Sequence, residues 1–435
     1  MKKAKTILIL GMVFCLSLSL GACNTQNSPL KEQAKSQTKD LMKDRNKDAI
    51  HCFDDTVMGV EGYNESAVNV ALSEFSLRLF EENLALWDDA EKNVLISPTS
   101  VIQALGMTSY GAKGDTLTQL EEVLGVKRGY VTNHNSKYLE NDYKELKLAN
   151  SIWFTNDNRL TVNDAFLQFN EECYGAEVYE TAFNDATVDT INDWVERNTN
   201  GMIKNILDEI PQDAVMYLIN ALVFEAEWAT KYDSTQIWED AQFTSSKGKE
   251  QKVDMMRSEE SLYLADDNAT GFVKHYKDGN YAFVALLPNE GVSVADYVKK
   301  LTGEHLQNLL ANPCKDGVVY AHLPQFSYEY DVEMSELLKG MGMKDAFDAK
   351  KADFTAMATS TQGNIFINRV LHKTFIEVSP VGTKAGAATV VEFMNESATY
   401  YEKVYEVFLE RPFLYMIVDC ENNMPVFIGA VNTVE

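Results

Sequence analysis

The chain is poor in the residue groupings from which active sites are built. Four of its six cysteines, Cys52, Cys173, Cys314 and Cys420, follow the N-terminal region, and none forms a CxxC pair or a metal-site spacing. Four cysteines over so long a chain are too sparse for a disulfide scaffold, and their spacing assigns no pairs. The six histidines, His51, His134, His275, His305, His322 and His372, show no ligand spacing. There is no GxSxG elbow, HExxH helix, Walker loop or dinucleotide fingerprint. No enzyme, metal or cofactor is therefore expected. Positive charge is also short. Lys and Arg number 39 against 65 Asp and Glu, a net charge of −26. That balance argues against nucleic-acid partners and anionic membranes, and it keeps an exported domain soluble. After residue 20 no apolar run is long enough to span a bilayer. Internal repeats and linker-like breaks are lacking after Glu65, which favours one large domain.

What is present begins with an export signal. Lys2, Lys3 and Lys5 precede the mostly apolar run Thr6 to Leu20, and Leu20-Gly-Ala-Cys23 closes it. Residues 1–22 read as a lipoprotein signal peptide, with Cys23 as the acylated first residue of the mature chain. Its removal takes away three lysines and leaves a net charge of −29. Residues 23–62 are polar and read as a flexible tether, reaching roughly 35 Å root-mean-square. The expected location is extracellular or at the cell surface, lipid-anchored to a bacterial membrane, with no other membrane contact. Residues 63–435 form the globular domain, expected to be monomeric.

Along that domain helical spacing marks Ser66 to Glu82, and Ser97-Pro98 opens a helix that runs to Gly111. Leu117 to Leu124 stops at Gly125, and Val188 to Arg197 stops at Asn200-Gly201. Ala214 to Phe224 is almost wholly apolar and reads as a strand buried on both faces, in the middle of a large sheet. Tyr276-Lys-Asp-Gly-Asn-Tyr281 signals a tight hairpin, and Phe413 to Val418 and Val426 to Val431 are closing strands. Helices crowd the first half and strands the second, an α+β pattern with mostly antiparallel sheets.

The most informative stretch is Gly382-Thr-Lys-Ala-Gly-Ala-Ala-Thr-Val-Val-Glu-Phe-Met394, followed by Asn-Glu-Ser397. Thr383, Ala385, Ala387, Thr389, Val391 and Phe393 are all uncharged, whereas Lys384 and Glu392 lie on the other face. This is strand alternation built largely from glycine and alanine, a segment able to be loose in one state and a strand in another. Together with Arg369 to Thr389, Glu410 to Val418 and Pro425 to Val431, it resembles the reactive-loop hinge and C-terminal strands of the serpins. Asn93 to Leu105, Gly111 to Thr116 and Leu218 to Trp228 resemble the same family, in unbroken order from about Glu65 onward.

The resemblance implies a serpin fold: α+β, with three mostly antiparallel β-sheets, about nine helices and an exposed reactive loop. It implies a hinge at Gly382, Thr383, Lys384, Ala385, Gly386, Ala387, Ala388 and Thr389. It places Ser97, Ser100, Asn220 and His372 beneath the main sheet where its central strands part, and Trp228 at the top of the sheet where loop entry begins. The implied activity is suicide inhibition of a serine protease, with cysteine proteases as a second target class. A target attacks the loop, held outside as residues 383–396, and forms an acyl-enzyme; the upstream half then enters the sheet and drags the protease along. Family spacing puts the scissile bond at Glu396–Ser397. A slipped register would move it to Phe393, Met394, Ser397 or Ala398, or further to Tyr400, Tyr401 or Lys403. Pro380 and Val381 depart from the family's polar pattern, and the donor missing from Pro380 is expected to slow insertion. The rival readings are a non-inhibitory carrier or chaperone of the same fold, and a surface binding lipoprotein.

Overall fold

The computed structural model describes residues 39–40, 64–87, 91–140, 144–383 and 403–435. Nine α-helices lie among them. The first, α1 (Glu65–Ala85), is capped by Asn64, whose side chain accepts from the Ala67 N–H. The second, α2 (Pro98–Gly111), is capped by Ser97, which accepts from Ser100, with proline in the first turn. Gly125 ends the Gly114–Leu124 helix at φ 73°, and Asn200 and Gly201, both at positive φ, follow the Asp185–Asn198 helix. The sequence signals for these boundaries hold to within a few residues.

The core is a six-stranded antiparallel sheet whose central strands are Tyr281–Pro288, Phe413–Asp419 and Met424–Val431. Those three are buried at every residue, so they carry apolar side chains on both faces. The Tyr276–Tyr281 turn is wider than the two-residue hairpin the sequence suggested. The Tyr276 N–H donates to the Tyr281 carbonyl, and Gly279 alone in the turn has a positive φ.

The main sheet is interrupted. Its strands are β1 (Leu146–Thr155), β2 (Ala176–Thr181), β3 (Met216–Phe224), β4 (Ala226–Glu227), β5 (Phe326–Glu333), β6 (Leu371–Val378) and β7 (Gly382–Thr383). One half runs β2-β1-β3, and Lys39–Asp40, from the stretch expected to be a tether, pairs with the free edge of β2. The other half runs β5-β6-β7-β4. Only Glu225 separates β3 from β4, so the halves share one continuous chain along that line. At the β4 end they are zipped together through β7, whereas β3 and β6 have no ladder between them.

That split corrects one expectation. The strand at 216–224 does lie centrally, but Met216, Tyr217, Leu218 and Asn220 are only half-buried. Their free edge borders a slot of about 410 Å³ between Asp213–Leu222 and Asn364–Thr374, floored by α2. A strand needs a neighbour at about 4.8 Å on each side to be fully covered, and the lower part of β3 has one.

Candidate functional site

The site is built where β7 ends and the slot begins. Val378 and Thr383 pair across a tight reversal, in which the Ser379 N–H donates to the Gly382 carbonyl at 3.0 Å. Gly382 and Thr383 also pair with Glu227 and Ala226. The first two hinge residues are therefore already strand, inserted between β4 and β6, and Thr383 is 2 % exposed. Residues 383–396 were expected to stand outside together; that fails at Thr383, because its backbone completes a ladder on both sides. Gly382 is demanded by close approach: a Cβ there would strike the Ala226 carbonyl oxygen. Pro380 occupies the reversal, where a fixed φ suits the chain and no ladder donor is required. Its carbonyl accepts from the Tyr232 N–H, and that of Val381 from the Trp228 N–H, both at 3.0 Å. The expected handicap from Pro380 therefore has no structural basis.

Trp228 holds this end of the sheet. It is buried, its Nε1–H donates to the Ser379 carbonyl at 2.8 Å, and its ring stacks on Tyr276 at 4.6 Å. The Tyr276 hydroxyl and Thr383 Oγ1 are hydrogen-bonded at 2.6 Å. Beneath lies a buried ion pair, Lys274 to Glu260 at 2.7 Å, with Lys274 also against the Tyr232 ring. Sequence reasoning missed Tyr276 and Lys274 as hinge partners. Thr383 is 107 positions from Tyr276, and no periodicity links residues so far apart.

The polar cluster lines the slot. Ser97, Ser100, Asn220 and His372 all border it. His372 Nε2 accepts from the Ser97 N–H at 3.0 Å, and burial pushes the imidazole down to about 4, so it is neutral at neutral pH. Ser97 Oγ donates to the Val426 carbonyl, and it also accepts from the Ser100 N–H as a helix cap. Asn220 is not joined to these groups. Its Nδ2 donates to Asn150 Oδ1 at 2.8 Å, and its own Oδ1 is buried without a partner. A buried acceptor left open costs ~1–3 kcal/mol. The cluster thus splits into Ser97–His372 on one bank of the slot and Asn150–Asn220 on the other.

Residues 70–434 match the family model described as "Serpin (serine protease inhibitor)". This chain is a serpin. Among relatives, human Serpin B7 is 30 % identical over 397 residues, covering 84 % of this chain and 99 % of its own. The thermophilic serpin Tengpin in its native state superposes with a TM-score of 0.81 at 39 % identity, covering 91 % of this chain and 100 % of that one. Tengpin in the latent state superposes with a TM-score of 0.74 at 41 % identity, covering 86 % of this chain and 100 % of that one. Serpins are typically protease inhibitors rather than catalysts.

Of the expected site residues in this serpin, Gly382, Thr383, Ser97, Ser100, Asn220, Trp228 and His372 lie where described. Lys384, Ala385, Gly386, Ala387, Ala388, Thr389, Glu396 and Ser397 lie outside the described residues, as do Cys23 and the signal peptide. Cys173 is in a disulfide, and Cys314 and Cys420 are free thiols. Among the described residues no His, Cys, Asp and Glu cluster suits a metal, and no helix is long and apolar enough to cross a membrane.

Proposed function

We propose that this serpin is an exported, lipid-anchored inhibitor that traps serine proteases by strand insertion. One observation carries the reading: β7, the strand Gly382–Thr383, stands in line with a slot in the sheet, so that its two ladders extended downward would run along that slot. Leu222 to Phe224, Phe375 to Glu377 and Thr383 itself line a second, smaller cavity that shares Ile203 and Leu222 with the slot. Continuing the two ladders sets Ala385 between Phe224 and Ile376, and Ala387 between Leu222 and Thr374. Thr389 then falls between Asn220 and His372, followed by Val391 and Phe393 at the level of Leu218 and Met216. Phe224, Leu222, Ile376, Thr374 and His372 are buried, so on insertion in this register the odd-numbered, uncharged set would face inward. The Thr389 hydroxyl would supply the donor that Asn220 Oδ1 lacks. Small residues pass first, which suits rapid entry.

In this scheme the protease performs its own chemistry as far as the acyl-enzyme at Glu396–Ser397. The freed upstream arm then enters the slot, and an attached protease is carried the length of the sheet, roughly 45 Å for a strand of ~14 residues. Displacing catalytic groups by an ångström or two stalls deacylation. Export and lipidation at Cys23 would place this trap outside the cell on a tether.

The test incubates the chain from Cys23 onward with trypsin, chymotrypsin, pancreatic elastase, glutamyl endopeptidase and papain. At least one serine protease is expected to give an SDS-stable covalent complex and release a C-terminal peptide beginning at Ser397. Simple cleavage or no reaction across the whole panel would refute the inhibitor reading. A complex with a different released terminus would refute the assigned bond alone.

A further inference from the structure

The ion pair beneath Trp228 joins two sheets. Lys274 lies in Ala269–His275 of the six-stranded sheet, and Glu260 ends Glu250–Glu260 of a four-stranded one. Lys274 is 3 % exposed, and its ladder partner is Phe283, which meets Trp228 edge-on at 5.9 Å. A charge removed from water among aromatic rings is costly, and an apolar side chain would pack there more cheaply. What the ammonium supplies is contact with two rings at once. Lys274 Nζ lies 4.4 Å from the centre of the Tyr232 ring and 5.6 Å from that of Trp228. Such cation–π contacts strengthen as water is excluded. Glu260 fixes the ammonium in place. Its Oε1 accepts from Lys274 Nζ and from Ser258 Oγ, both at 2.7 Å. Because Ser258 spends its hydrogen there, the Tyr232 hydroxyl donates to Ser258 Oγ at 3.3 Å.

The same two aromatic residues hold three consecutive carbonyls of the reversal before β7. Ser379 accepts from Trp228 Nε1–H, Pro380 from the Tyr232 N–H and Val381 from the Trp228 N–H. A ladder of two residues is shorter than an ordinary strand and holds itself weakly. The seating of Gly382 and Thr383 therefore depends on this clamp, and the clamp rests on one ammonium. We propose that Lys274 is a positioning residue of the trap: pinned by Glu260, it fixes Trp228 and Tyr232 on the 379–381 reversal and keeps the first hinge pair seated in the sheet until the loop is cut. The proposal rests on the inhibitor reading above. With the hinge seated, insertion starts from residue 384 at the moment of cleavage. With the clamp loose, residues 382 and 383 must first find the sheet again while deacylation proceeds. Lys274 thus sets the division between trapped protease and wasted inhibitor, and leaves the rate of attack on the loop unchanged.

The experiment compares wild type with Lys274→Met and with the double variant Lys274→Met/Glu260→Gln, using each panel protease that forms a complex. The single variant leaves Glu260 buried without its counter-ion, so its melting temperature should fall; the double variant removes both charges and should recover it. In the double variant, hydrogen exchange across residues 226–233 is expected to quicken tenfold or more. Inhibitor consumed per protease trapped should rise at least threefold, with the rate of loop cleavage within twofold of wild type. Exchange and stoichiometry that return to wild type together with the melting temperature would show that the pair acts through stability alone, and would overturn the proposal. Faster exchange with unchanged stoichiometry would overturn it too, since the clamp would then be loose without consequence, and would leave the trap itself intact. Absence of any complex with wild type removes the inhibitor reading and this proposal with it.

Discussion

Thr383 is the last described residue of β7, and its environment sets what the position tolerates. Its side chain is buried against Tyr276, which stacks on Trp228, which in turn grips the Ser379 carbonyl. That hydroxyl pair is the polar contact of the Thr383 side chain, and the acid beneath, Glu260, is already paired with Lys274. An arginine at 383 would have to bury a guanidinium without a counter-ion, at a cost of several kcal/mol, or stay out and hold the hinge open. Either outcome delays insertion while deacylation proceeds at its own rate. Thr383→Arg is thus expected to turn the inhibitor into a substrate, cutting the yield of SDS-stable complex at least tenfold while cleavage continues. Thr383→Ser keeps the hydroxyl and should retain the yield. Complex formation by the arginine variant at wild-type yield would mean that hinge entry does not govern trapping.

At the scale of elements, the slot between β3 and β6 is the feature that most needs a partner. Two strands with a place for one between them present unpaired N–H and C=O groups along both edges, a template for any extended chain of the right alternation. A peptide with the sequence of residues 384–394 offers that alternation without the covalent link. Incubated with the intact protein, it is expected to bind, raise the melting temperature and abolish covalent trapping, whereas a peptide of the same composition in scrambled order should do none of these. Binding of both peptides alike would show that alternation is not what the slot reads. Much of this architecture was legible in the chain. Ser97-Pro98 and Gly125 carry local chemistry that fixes their helix ends, and the alternation put Thr383, the one member of the inward set among the described residues, on the buried face. That Thr383 is already inserted was not legible, because a period of two tells which side chains face inward and not how many have gone in. Pro380 misled for a related reason: its missing donor matters in a ladder and not in a reversal. The separation of Asn220 from His372 also escaped the sequence, since it depends on two strands, some 150 positions apart, failing to meet.

The whole molecule is constrained by its own connectivity. From Thr383 to the level of Met216 the inserted strand would descend ten residues, or roughly 34 Å. An uncleaved chain would then have to climb back to Lys403 with ten more residues, which extend at most about 33–36 Å. Lys403 is pinned by its ion pair with Asp316, and Tyr405 donates to the same carboxylate at 2.8 Å. Val404 pairs with Val318 beside the Glu260 that joins Lys274 under the Trp228 end of the sheet, so the pin lies at the top of the descent. The intact chain therefore has no slack for full insertion, and a cut anywhere between 394 and 402 removes the constraint at once. Ten residues gaining two strand neighbours at ~1 kcal/mol per net hydrogen bond yield on the order of 10 kcal/mol. For a domain of about 370 residues, with an unfolding entropy near 2.1 cal/mol/K per residue, that corresponds to a rise of ~10–15 °C in melting temperature. Nicking the loop with a protease that the molecule does not trap, and scanning intact and nicked forms together, measures that difference directly. Equal melting temperatures would mean that the slot stays unfilled after cleavage, and that no relaxation is available to pull a protease anywhere.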